Sequence, residues 1–251
     1  MFMSYASRGL VVAGALAASM LFPISASALP LFTIGSDSTF DPTFCTVNLT
    51  CGPGNKSLTW KTPAFPVSKL TLLDLTPQAI ESGGPAVQIT KLTHDNVIIP
   101  QAFNYVSQIL NTITLQAGSP GAGPLLVNDS TSSIGITFTE TANIGPPCAN
   151  LNPAGSICDD FFDFDAGGLA TLLFSSDGID YKLIFGLELG VGTFQDGIRE
   201  NRIYTAEEQT SELFVNARIE AVDVPGPEPV TLALLGLGLL GIGFTTRQRK
   251  M

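Results

Sequence analysis

The stretch Ile179–Leu189, "IDYKLIFGLEL", decides the fold. Ile179, Tyr181, Leu183, Phe185, Leu187 and Leu189 fall on one side, and Asp180, Lys182 and Glu188 fall on the other. Successive side chains of a strand point to opposite faces, so apolar residues at period two specify a half-buried strand and not a helix. Just before it, "FSSDGIDY" sets Asp177-Gly178 between two apolar runs. That dipeptide supplies the positive φ angles of a tight two-residue hairpin turn.

The same alternation recurs outward along the chain. "NTITLQA" alternates Ile113, Leu115 and Ala117 with polar neighbours, and "SIGITFTE" does so with Ile134, Ile136 and Phe138. "ELFVNARIEAV" places Leu213, Val215, Ala217, Ile219 and Ala221 on one face, and "SLTWKT" and "AVQITKLT" repeat the pattern more weakly. "FNYVSQILNTI" admits a helical turn. "SGGP", "SPGAGP" and "IGPP" read as loops, because proline offers the ladder no donor. Many short strands at short spacing predict an all-β fold, a single β-sandwich of jelly-roll or immunoglobulin-like course over residues 29–222. Composition agrees: the 251 residues are 45% hydrophobic and only 14% charged, with 25 Gly and 17 Pro. Enough apolar side chain is present for a sizeable core.

Both ends differ from this body. A basic n-region ending at Arg8 is followed by the apolar run Gly9–Phe22 and by Ala26-Ser27-Ala28. The small residues fit signal-peptidase cleavage, so residues 1–28 read as a cleaved Sec signal peptide and not as an anchor. At the other end, "VDVPGPEP" forms a proline-stiffened spacer, with 223–229 joining the domain to residues 230–251. The apolar run Val230–Phe244 is fifteen residues long. As a helix it spans about 22 Å against a hydrocarbon core of about 30 Å. Its four glycines are tolerated in lipid. Arg247, Arg249 and Lys250 hold the tip on the cytoplasmic side, which puts the domain outside the inner membrane.

Charge is segregated. Four of the 12 basic residues (Arg8, Arg247, Arg249, Lys250) lie in residues 1–28 and 230–251, and none of the 22 acidic ones does, leaving 8 basic against 22 acidic between, a formal −14. Such a surface repels nucleic acid and tolerates cations. The four cysteines fall in "CTVNLTC" (Cys45, Cys51) and "CANLNPAGSIC" (Cys148, Cys158). Their spacings are wider than zinc sites use, and an oxidising compartment favours disulfides. Four cysteines allow three connectivities, of which local pairing within each segment is the expected one.

Pro227-Glu228-Pro229, the Gly/Leu run and the Arg-Gln-Arg-Lys tip together resemble the PEP-CTERM sorting signal of Gram-negative bacteria. The resemblance implies a short transmembrane sorting helix and recognition by an exosortase-type membrane enzyme. It also implies removal of the tail near the Pro-Glu-Pro and delivery to the cell surface or the extracellular matrix, in bacteria that make exopolysaccharide and biofilm. Inside the domain, Thr93-His94-Asp95-Asn96 is similar to the motif that names the THxN family of PEP-CTERM proteins. "LTWKTPA", "FTETAN", "CDDFFDF" and "IYTAEEQTSELFVNARIEAV" resemble that family too. It implies a surface location and a β-rich fold, and no activity.

Candidate chemistry is sparse. His94 is the one histidine, so no multi-histidine metal site can form, and no Gly-x-Ser-x-Gly nucleophile accompanies it. Thr93, Asp95 and Asn96 can serve a local Asx- or ST-type turn instead, with His94 bridging two loops. Asp159, Asp160, Asp163 and Asp165 crowd "CDDFFDFD", where clustered oxygens suit calcium. The rival reading is alternation, with Phe162 and Phe164 inward and Asp163 and Asp165 facing water. Glu207, Glu208 and Glu212 offer carboxylates of the kind a glycosidase pairs across a sugar bond. Trp60 suits sugar stacking or a core. The leading expectation is a non-catalytic surface or matrix protein without a cofactor. Its partners would be signal peptidase and the sorting enzyme during export, then exopolysaccharide or matrix proteins. A carbohydrate-binding module, calcium-assisted or not, and a polysaccharide-modifying enzyme are the alternatives.

Overall fold

The alternating segments become strands in a computed structural model that describes residues 29–222 apart from 47, 61–66, 146, 149, 166–168 and 196. The expected signal peptide (1–28), spacer (223–229) and sorting helix (230–251) lie outside the described residues. The chain opens with β1 (Leu31–Phe40) in a first sheet. It crosses to a second for β2 (Leu49–Cys51), β3 (Ser57–Trp60) and β4 (Ser68–Asp74), returns for β5 (Gln78–Glu81), and crosses again for β6 (Val87–Asp95). The first sheet then takes β7 (Phe103–Ala117), β8 (Leu125–Glu140) and β9 (Asp160–Phe164), and the second takes β10 (Leu172–Ser176) and β11 (Ile179–Leu189). The path ends with β12 (Thr193–Phe194) and β13 (Arg202–Thr205) in the first and β14 (Thr210–Ala221) in the second. Two short 3-10 turns, Pro42–Phe44 and Pro53–Asn55, flank β2.

Each sheet has seven strands, in the orders β12-β13-β9-β8-β7-β1-β5 and β10-β11-β14-β6-β4-β3-β2. Every strand pair is antiparallel, which lets each sheet present one apolar and one polar face. The apolar faces meet, as in a sandwich. Phe40, Ile136, Phe138 and Phe162 of the first sheet pack with Leu58, Trp60, Leu92 and Leu213 of the second. A second cluster sets Phe32, Ile34 and Leu115 against Tyr181, Leu183 and Ile219. Each such side chain contributes about 1.5–3 kcal/mol by leaving water. Short strands sit at three of the four sheet edges: two residues in β12, three in β2 and four in β5. Short edges give another chain little to pair with.

The hairpin forms as expected: Ser176 pairs with Ile179, and Asp177 and Gly178 take φ of 51° and 77°. "FNYVSQILNTI" holds no helical turn, since it lies wholly in the 15-residue strand β7. Its odd-numbered residues from Ser107 to Leu115 are buried and the even ones between them half-exposed, so period two wins. The disulfides pair locally, Cys45 with Cys51 and Cys148 with Cys158.

Candidate functional site

At one end of the sandwich, strand ends from both sheets converge. β8 finishes at Glu140 and β9 starts at Asp160, and the pairing Thr139↔Phe161 makes these two carboxylates neighbours. Asp160 also lies opposite Thr205 of β13, which puts Glu207, two residues on, beside it. Across the core, β3 ends at Trp60 and β6 delivers His94 and then Asn96. The period-two face that buries Phe138 continues to Glu140, and the face that buries Phe162 and Phe164 includes Asp160. An acidic side chain therefore takes a core position on each strand.

Glu140 and Asp160 are 0% exposed and Glu207 is 7%. Each offers a carboxylate oxygen, and the three lie within 4.8 Å of one another. Trp60 donates its indole N–H to Glu140 Oε2 at 2.9 Å. The Thr141 backbone N–H donates to Asp160 Oδ1 at 2.7 Å. Burial disfavours the charged forms. It drives the Glu140 carboxyl up to about 8, against the pull of the Trp60 N–H and with the Glu207 charge adding to the rise. Glu207 is pushed up to about 7, again by burial first, while the Asn143 and Asn96 amides beside it draw it down. Asp160 is raised well above the carboxylate range by burial and then by Glu140 and Glu207.

His94 is buried among Trp60, Phe138 and Phe162. Its Nδ1 is 2.9 Å from Thr205 Oγ1, and burial lowers its pKa to about 3, so the ring is neutral. Asn96 donates from its backbone to Gln209 O at 3.1 Å and from Nδ2 to Ala206 O at 3.3 Å. Thr93 Oγ1 donates to Thr71 O at 3.5 Å. The Thr93–Asn96 motif thus makes no local Asx turn with these groups. His94 and Asn96 reach more than a hundred residues along the chain, tying β6 to the β13–β14 connection. Above them an open cleft of about 520 Å³ is lined by Asp95, Asn96, Val97, Ile98, Glu208, Gln209 and Thr210.

The four aspartates of the calcium expectation do not come together. Asp159 organises the Cys148–Cys158 loop, accepting from Ala154 N at 2.6 Å and Ser156 Oγ at 2.5 Å. Asp160 turns into the core, Asp163 pairs with Arg202 at 2.6 Å, and Asp165 is exposed next to Gly135. Alternation along β9 sends Asp160 to the core face and Asp163 and Asp165 to the other, where Arg202 takes up Asp163. The three glutamates separate too: Glu207 is buried, Glu208 lines the cleft, and Glu212 pairs with Lys91 at 2.8 Å. Trp60 is 1% exposed, a core residue that no sugar can stack on. Glu140 and Asn143 went unread in the sequence, although an acid continuing an apolar period-two face was a visible signal.

Fold and site define a disulfide-tied two-sheet β-domain with a closed acid cluster at one end. Beyond the described residues, 227–250 match the PEP-CTERM protein-sorting motif, so the chain carries that sorting signal. The match includes Pro227, Glu228, Pro229, Arg247, Arg249 and Lys250. The signal implies export, processing by an exosortase-type enzyme and transient membrane anchoring before surface display. No curated protein matches the chain.

Proposed function

We propose that the protein is a non-catalytic component of the cell surface or extracellular matrix of a Gram-negative bacterium, associated with biofilm or exopolysaccharide. The observation that carries this reading is the sorting motif at 227–250 behind an acidic β-domain. Export begins with Sec and cleavage after residue 28. The non-catalytic reading is supported by the closure of the acids: Glu140 and Asp160 are 0% exposed, so no polymer reaches them. A jelly-roll-like course is favoured, because the chain keeps switching sheets. Membership of the THxN group is supported by Trp60, His94, Asn96, Glu140, Asp160 and Glu207, which come from all the resembling stretches and gather at one end of the sandwich. The cleft beside Asn96 favours carbohydrate binding as the second reading.

The test follows the full chain in a host with and without its sorting enzyme, by cell fractionation and intact mass. The expected product lacks both ends and sits at the surface only when the enzyme is present. An unchanged mass and location in both hosts contradicts the sorting reading. Turnover of native exopolysaccharide by the purified protein contradicts the non-catalytic one, and retention on immobilised exopolysaccharide without turnover favours the binding module.

A further inference from the structure

Six buried oxygens around the acid cluster have no hydrogen-bond partner: Glu140 Oε1, Asp160 Oδ2, Glu207 Oε1 and Oε2, Asn96 Oδ1 and Asn143 Oδ1. Unpaired buried polar atoms are rare and call for a cause. Two nitrogens share this state, His94 Nε2 and Asn143 Nδ2. Asn96 is an observation separate from the acids. It is only 3% exposed, and its amide lies alongside Glu207 with the oxygen unpartnered.

We propose that Glu140, Asp160 and Glu207, with the side-chain oxygens of Asn96 and Asn143, form a buried calcium site that ties the two sheets together. Geometry permits it. Oxygens held about 2.3–2.6 Å from one calcium ion lie no more than about 5.2 Å apart, and calcium takes about 6–8 oxygen ligands. The three carboxylate oxygens fall within 4.8 Å of each other. The all-oxygen set argues against zinc, and His94 stands outside the acid group. Magnesium keeps several waters, for which a closed site has little room. The ion enters from the cleft, where Asp95 and Glu208 draw cations toward Asn96. The ligands come from the ends of β6, β8 and β9 and from the β13–β14 connection, so one ion would clamp strands of both sheets.

The test uses the full chain in mild detergent, stripped with chelator and then titrated. Trp60 is the one tryptophan and bonds Glu140, so terbium in this site luminesces on tryptophan excitation. The expected result is sensitised emission that calcium displaces and magnesium does not. Calcium at about a hundred times its dissociation constant should raise the melting midpoint by about 5–10 °C. Glu207→Gln and Asn96→Leu should abolish both signals, and Asp163→Asn should keep both. Absence of displaceable emission in the wild-type chain overturns the site, whether or not any variant folds. So does a calcium response that survives in Glu207→Gln and Asn96→Leu, which would place the ion elsewhere on the acidic surface.

Discussion

Trp60 donates its indole N–H to Glu140 Oε2 across the sandwich, at 2.9 Å and with neither residue more than 1% exposed. A bond from β3 to the end of β8 joins the two sheets in a place where water cannot substitute for either partner. Trp60→Phe removes the donor and part of a filled core volume. It should cost about 2–4 kcal/mol in urea denaturation. Adding Glu140→Leu should return part of that loss, because the stranded carboxyl is then gone. A double-mutant cycle with no coupling between the two positions would contradict the pairing.

His94 gives a pH dependence of definite sign. Its folded pKa of about 3 lies below the unfolded value near 6.5. The unfolded chain binds a proton that the core refuses, so this contribution is complete above pH ~6.5 and is lost as pH falls toward 3. Glu140 and Glu207 run the other way, with folded values of about 8 and 7 above the ordinary carboxylate range. Without a bound cation, their contribution is complete in acid and is lost as pH rises through those values. Comparison of wild type with His94→Gln isolates the histidine. The stability advantage of the wild type should shrink by about 3 kcal/mol between pH 7 and pH 4. A constant difference across that range would mean that His94 titrates normally.

Much of this was legible beforehand, and what was not has a common cause. β11, β14 and the Asp177-Gly178 turn followed from alternation and turn chemistry, which are local properties. The acid cluster is not local. Asn96, Glu140, Asp160 and Glu207 are spread over more than a hundred residues and meet only through strand register. The local signal is the run of four acids in Asp159–Asp165, and the pleat turns Asp160 away from Asp163 and Asp165. The residue to weigh was the single acid on an otherwise apolar face.

The disulfides close loops with sequence separations of 6 and 10 residues. Replacing either pair by serine should cost about 2–3 kcal/mol on chain-entropy grounds, read as a drop in urea midpoint. Loss of Cys148–Cys158 should also loosen the loop whose Ser156 Oγ accepts from Glu207 N at 3.2 Å. Amide exchange at Glu207 should rise in that variant and stay unchanged in the Cys45/Cys51 one. Equal exchange in both would separate the loop from the acid cluster.

Two glycines separate crowding from backbone strain. A Cβ on Gly190 would sit 2.7 Å from Glu212 O and 2.9 Å from the Phe214 ring, so Gly190→Ala should cost about 1–3 kcal/mol. At Gly178 nothing lies within 4 Å, and only its φ of 77° penalises a side chain. Gly178→Ala should cost about 1 kcal/mol, with both read from thermal midpoints. The reverse ranking would contradict the close approach of Gly190 to β14.

β14 is the last strand in sequence, yet it lies inside its sheet, between β11 and β6. A chain that condenses from its N-terminus leaves a gap there until residue 221 joins, with Leu213, Val215 and Ile219 still missing from the core. The sorting motif begins at Pro227, six residues after Ala221, or about 20 Å of extended chain. The processing signal therefore sits directly behind the strand that completes the sandwich, with few residues between them. A chain cut short ahead of β14 would lose its sorting signal and the middle of its second sheet together.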